Sequence, residues 1–252
     1  MEEKGDSHQK KKVTATKIEE SAGYGYNLLM PRHSRSEPGG MVFHVLNRGV
    51  GRRNLFDKDG DFLAFERVLL ETLRVRRMRV CAWCLMSNHW HLVLWPEYDG
   101  DLAAFMQQLT NTHVKRWKEH RHETGLGHLY QGRYKSFPVQ SDEHFDKVVR
   151  YVERNALRAN MVPAAELWPW SSLGCHNRPD SPREIIADWP LRRPDNWLGW
   201  VNEPQNESEL AALRHCVHRG TPFGAETWTE ATVKRLGLEA TTRPRRRPKK
   251  TN

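Results

Sequence analysis

Residues 80–95 read VCAWCLM, then Ser87-Asn88, then HWHLVLW. Two short apolar runs, Val80 to Met86 and Trp90 to Trp95, flank a two-residue polar joint, the pattern of a tight hairpin between buried strands. Successive side chains of a strand alternate between faces, so His89 and His91 share one face while Trp90 and Leu92 point the other way, into a core. Two imidazoles at that spacing can share one metal ion. Without such a purpose, each buried ring on so apolar a strand needs a hydrogen-bond partner.

Upstream of the hairpin, Met41 to Leu46 (MVFHVL) is a β-branched apolar run stopped by Asn47-Arg48-Gly49, which reads as a strand entering a turn. From Asp59 to about Val75, Phe62, Phe65, Val68, Leu69 and Leu73 follow helical spacing. Downstream, Leu102 to about His120 is again helical in period. Gly132 to Gln140 alternates as a strand that Pro138 pushes towards an edge. Ser141 is placed to cap a helix whose apolar stripe is Phe145, Val148, Val149, Val152 and Ala156. Strand, helix, strand, strand, helix, strand, helix predicts an α+β fold, an antiparallel sheet covered on one face by helices. Beyond Trp170 come Pro- and Trp-rich loops, then helices at Glu207 to Arg219 and Thr229 to Leu236 around Gly220-Thr-Pro-Phe-Gly224. That pair could form a helix-turn-helix-like unit, a pattern equally common in proteins that never touch DNA. The expected division is a flexible leader over 1–38, a main domain over 39–175, a small helical C-terminal region over 176–240 and a basic tail over 241–252.

With 252 residues, 38% of them hydrophobic and 10 tryptophans, the chain can build a real core. Its net charge of +9 is uneven, since six basic residues lie between Arg243 and Lys250 (RPRRRPKK). Such a tail, with Arg245, Arg246 and Arg247 at its centre, is a handle for a phosphate polymer through counterion release, or simply a solvated end. The four cysteines offer only one C-x-x-C pair, Cys81 and Cys84, among apolar neighbours, so buried free thiols are expected rather than a zinc knuckle. No window approaches 18 apolar residues, and the charged first 20 residues do not read as a secretory leader. A reducing, cytoplasmic and nucleoid-associated setting without a membrane partner is the expectation.

A second informative stretch is VVRYVERNALRA at 148–159. Tyr151 and Asn155 are four apart, one helical turn, at the edge of the apolar stripe. Taken alone, this is the pattern of a boundary tyrosine that packs its ring and wets its hydroxyl. Arg48, Arg133, Lys135 and Arg158 lie close in sequence to these elements, as phosphate contacts or as ordinary surface charges. Tyr130 and Tyr134 could stack on bases, with packing the expected task of at least one.

Together, His89-Trp90-His91 and the tyrosine helix resemble the HUH single-tyrosine transposases, in which U is a large apolar residue. The nearest branch is the REP-associated tyrosine transposases. That resemblance also rests on His44-Val-Leu-Asn47-Arg48-Gly49, Leu55-Phe56-Asp57, Met86-Ser-Asn-His-Trp-His91, Gln131-Gly-Arg-Tyr-Lys135-Ser and Tyr151-Val-Glu-Arg-Asn155-Ala-Leu-Arg158-Ala, and runs from about Gly39 to Leu173. It implies a ferredoxin-like, or RNA-recognition-motif-like, fold. It further implies Tyr151 as nucleophile, His89 and His91 as metal ligands, and Asn155 in the place of a third ligand. Some relatives carry Gln there, and Ala156 stands where Pro is usual. The implied activity is cleavage and rejoining of single-stranded DNA through a 5′-phosphotyrosine, with Mg²⁺ or Mn²⁺, on hairpin-forming repetitive extragenic palindromes. The partners are single-stranded or hairpin DNA, and the protein a monomer or homodimer. Two rival readings stand beside it, a non-catalytic nucleic-acid-binding protein on the same fold and a metal-dependent phosphodiesterase that uses water.

Overall fold

A computed structural model of the chain describes residues 37–243, so most of the expected leader, and Arg245, Arg246 and Arg247 in the expected tail, lie outside the described residues. Four strands, β1 (Val42–Arg48), β2 (Arg79–Met86), β3 (His89–Trp95) and β4 (Lys135–Val139), form one antiparallel sheet in the order β2-β3-β1-β4. With α1 (Asp59–Val75) between β1 and β2 and α2 (Asp101–His120) between β3 and β4, this is the ferredoxin-like arrangement, α+β as expected. Ser87-Asn88 joins β2 to β3, and Leu46 of the central β1 lies opposite His91 on one side and Lys135 on the other.

The expectation of helices on one face is corrected. Phe65, Val68 and Leu69 of α1 and Phe105 and Leu109 of α2 pack with Phe43, Val45, Trp83, Leu85, Trp90, Leu92 and Leu94 on one face. The opposite face, carrying Val42, Cys84, Val93, Phe137 and Val139, is covered by α3 (Glu143–Glu153) through Phe145, Val148, Val149 and Val152. The central strands are apolar almost without interruption, as a sheet buried on both faces requires, and one layer of helices would leave half of that surface wet.

Two details of β4 and α3 also differ from expectation. The regular strand is shorter, and Pro138 lies on it without breaking the ladder to β1. Its carbonyl faces outwards and accepts from the Phe223 amide, so the N–H that proline lacks is on the outer side. The cap of α3 is Asp142, not Ser141, and its carboxylate accepts from the His144 amide at 2.9 Å. Further on, α4 (Asn155–Arg158), α5 (Trp197–Asn202), α6 (Glu207–Arg219), α7 (Glu226–Leu236) and α8 (Glu239–Thr242) complete the described chain. α6 stops at Gly220, whose φ of 76° is the left-handed conformation glycine adopts at least cost. Val201, Leu210, Leu213, Cys216 and Phe223 share a core with Phe137, Val139 and Phe145.

Candidate active site

β3 turns His89 and His91 towards the α3 face of the sheet. His91 lies opposite Leu46 and Cys84, and His89 opposite Arg48. α3 buries its apolar stripe against the same face, which brings Tyr151, at the stripe's edge, over the histidines. Tyr151 is only 7% exposed. Its ring stands edge-on to His91 with centroids 6.0 Å apart, and the His89 and His91 rings are 5.1 Å apart. The two sequence elements that resembled a single site therefore meet in space, within one chain.

The helix is not continuous from Tyr151 to Asn155, as its sequence pattern suggests. α3 ends at Glu153, and α4 starts at Asn155 after Arg154, with φ −80° and ψ −1°. Arg158 returns from the end of α4 to close the gap. Its guanidinium donates to the Tyr151 carbonyl (3.1 Å) and to Asn155 Oδ1 (2.9 Å), with its carbon 4.0 Å from the Tyr151 ring centroid. Arg158 is thus held by the site's own groups and lies against the tyrosine ring as a cation–π partner. Asn155 is buried beside it, and its Nδ2 has no hydrogen-bond partner.

A residue that the sequence reading left out of the site, His44, completes it. His44 is fully buried on β1, its Nε2 is 2.9 Å from His91 Nδ1, and the two rings stack at an interplanar angle of 3°. Its signal was available in strand parity. Val42, His44 and Leu46 share a face, and a histidine between two aliphatics on a buried strand calls for a partner.

Burial makes these imidazoles hard to protonate. His44 is lowered to about 3, chiefly by desolvation, with Arg158 adding to it. His89 is lowered to about 4 by burial, then by Arg48 and Arg158. His91 is held well below its ordinary value, again by burial first and by His44 next. At neutral pH all three are uncharged, the form that ligates metals. His89 Nδ1 is 2.7 Å from Asn88 Oδ1, an acceptor, so its proton sits there and Nε2 keeps a free lone pair. Neutral imidazoles are donors for a divalent transition metal such as Zn²⁺, and a carboxamide oxygen is a donor that harder ions such as Mg²⁺ or Mn²⁺ accept.

The other candidates divide. Arg48 lies beside His89 at the end of β1, and Lys135 stands exposed where β4 begins, in register with Leu46. Arg133 is exposed in the loop before β4. Tyr130 is a core residue, its hydroxyl accepting from Trp90 Nε1 at 3.0 Å and bonded to His113 Nδ1 at 2.7 Å, and so is unavailable for base stacking. Tyr134 donates to Glu37 at 2.7 Å. Cys81 and Cys84 are buried free thiols pushed up to about 12 by desolvation, the opposite of a zinc knuckle's thiolates. Among the described residues, the one group of three His, Cys, Asp or Glu with close ligand atoms is Asp142, Glu143 and His144, away from this site. There Asp142 is already engaged as the helix cap and by His144 Nδ1 at 2.7 Å.

No curated protein matches the chain. A solved structure of a REP-associated tyrosine transposase bound to a REP hairpin is similar at 20% identity and a TM-score of 0.47, covering 71% of this chain and 100% of its own. The sequence profile described as "Transposase IS200 like" matches residues 39–155, a span that runs from just before β1 to Asn155 and holds His44, His89, His91 and Tyr151. Over residues 39–155, this chain is similar to the IS200-like transposase family.

Proposed function

We propose that this protein is a transposase that cuts and rejoins single-stranded DNA through a covalent tyrosine intermediate, with Tyr151 as nucleophile and His89 and His91 as the ligands of a Mg²⁺ or Mn²⁺ ion. The observation that carries the reading is the packing of the Tyr151 ring against His91, 6.0 Å between centroids, on the sheet face that also bears His89. Tyr151 serves the histidines of its own chain, in a monomer or in each half of a homodimer. Asn155 would supply the third ligand through Oδ1, the atom that Arg158 also contacts.

A phenol is mostly protonated at neutral pH and is a weak nucleophile unaided. A cation held by His89, His91 and Asn155 would polarise a non-bridging oxygen of the scissile phosphate. Tyr151 Oη then attacks phosphorus in line. A P–O bond to tyrosine forms, the bond to the 3′ oxygen breaks, the phenol proton passes to solvent, and the departing strand ends as a 3′-OH. The 5′ phosphate stays on Tyr151 until a second 3′-OH reverses the step, so joining needs no nucleotide cofactor. Arg158 keeps a positive charge against the tyrosine ring as negative charge builds there. Arg48, Lys135 and Arg133 contact phosphates on either side of the scissile one, and Arg245, Arg246 and Arg247 grip the DNA further away. The substrate class proposed is the hairpin-forming repetitive extragenic palindrome, on the strength of the motif resemblance.

The test is a denaturing gel of protein incubated with Mn²⁺ and an end-labelled single-stranded hairpin repeat. A covalent protein–DNA band is expected with the wild type and absent from both Tyr151→Phe and His89→Ala. Cleavage without an adduct, surviving Tyr151→Phe, would instead identify a phosphodiesterase that uses water. Binding without cleavage across repeats and metals would identify a non-catalytic binding protein.

A further inference from the structure

We infer that His44 is a positioning residue that holds His91 in the tautomer whose Nε2 is free to ligate the cation. This rests on the metal reading of His89 and His91 given above.

His44 lies diagonally across the β1–β3 pair from His91, since its own register partner is Val93 and that of Leu46 is His91. The two rings stack nearly parallel with centroids 5.0 Å apart, and Nε2 of His44 meets Nδ1 of His91 at 2.9 Å. Phe137, edge-on at 4.9 Å, and Tyr151, edge-on at 6.2 Å, wedge the His44 ring in this orientation. Between two neutral imidazoles such a bond holds a single proton, and its direction decides what His91 can do. If His91 donates from Nδ1, its Nε2 keeps a lone pair for a metal. If His44 donates from Nε2, the His91 proton sits on its own Nε2, and that nitrogen is closed to ligation.

One observation favours donation by His91. The neighbouring His89 is tied in the same way, its Nδ1 held by the Asn88 side-chain oxygen, so that both histidines would present Nε2. A ligand histidine commonly donates its other ring N–H to an acceptor of this kind. Acceptance at Nε2 puts the proton of His44 on Nδ1, which is buried with no partner, so this arrangement carries the cost of one unpaired donor.

The experiment compares wild type, His44→Phe and His44→Gln. Phenylalanine keeps the ring and removes the acceptor; glutamine places a carboxamide oxygen near the position of the lost Nε2. Mn²⁺ affinity is measured by calorimetry without DNA, and the His91 tautomer by ¹⁵N NMR of histidine-labelled protein without metal. The expected results are an Nδ1–H tautomer for His91 in the wild type and Mn²⁺ binding weakened about 10- to 100-fold in His44→Phe. His44→Gln should restore most of that affinity. Equal Mn²⁺ affinity in wild type and His44→Phe, or a wild-type His91 protonated on Nε2, would overturn the inference while leaving the metal site standing. Wild-type protein that binds no Mn²⁺ would overturn the metal site itself. Should His44→Phe fail to fold, the wild-type tautomer still decides.

Discussion

His113, on α2, is buried against Phe56 and Phe65, with its Nδ1 bonded to the Tyr130 hydroxyl at 2.7 Å. Burial lowers it to about 3 from an ordinary 6.5. Between those values the unfolded chain takes up a proton that the folded chain refuses, so stability rises with pH across the window. The contribution is fully present above about 6.5 and is lost towards 3, at about 1.4 kcal/mol per pH unit for each such group. His44 and His89 act in the same sense. Urea unfolding at pH 7.5 and pH 5.5 should therefore show a marked loss of stability in acid. His113→Asn, which can still meet the tyrosine hydroxyl, should reduce the slope between these pH values by about half a proton whatever it does to absolute stability. An unchanged slope would mean that His113 does not resist protonation. On this scale the sequence marked His89, His91 and Tyr151 as candidates but not His44, because its partner lies on another strand, 47 residues away.

At the scale of elements, α3 is the part whose placement matters most, since it carries Tyr151 over the sheet. Its start is fixed by Asp142, which accepts from the His144 amide. Removing an N-cap acceptor costs about 1 kcal/mol. Asp142→Ala should lower the melting temperature by a few degrees, as read by circular dichroism, while leaving adduct formation intact well below the transition. A variant as stable as wild type would show that the cap contributes nothing. Its end is shaped by arginines that sequence spacing cannot tell apart. Arg150 donates to the Glu203 carbonyl at 2.8 Å and Arg154 to the carbonyls of Val201 and Asn202 at 3.0 and 2.7 Å, whereas Arg158 turns back onto Tyr151 and Asn155. Periodicity placed the helix and its buried stripe. The partners of the Arg154 side chain at the break are carbonyls about 50 residues further along the chain, which no local pattern contains.

For the described protein as a whole, the region after residue 175 is continuous with the layer that holds the tyrosine helix. Glu153, buried next to the helix break, accepts from Ser172 Oγ at 2.6 Å and from Trp197 Nε1 at 2.7 Å, and burial raises its carboxyl above the ordinary range. Leu210 and Leu213 of α6 and Phe223 complete the core around Phe137, Val139 and Phe145. A fragment of residues 37–175 would bare that face and leave the Glu153 carboxylate without Trp197. We expect it to lose the cooperative urea transition of the 37–243 chain and to bind a hydrophobic dye. A fragment that unfolds as cooperatively as the longer chain would establish residue 175 as a true domain boundary.

The sequence by itself determined the strands, the hairpin and the spans of the two long helices, all of which follow from short-range periodicity, whether two residues in a strand or nearly four in a helix. The pairing of a histidine doublet with a tyrosine helix came instead from the resemblance of its motifs to a known family. Only the tertiary structure decided that helices cover both faces of the sheet, that Arg158 lies against Tyr151, and that His44 joins His91. Each of these depends on which distant segments share a face. That is settled by the strand order β2-β3-β1-β4 and by burial of the second apolar face, neither of which a local pattern encodes.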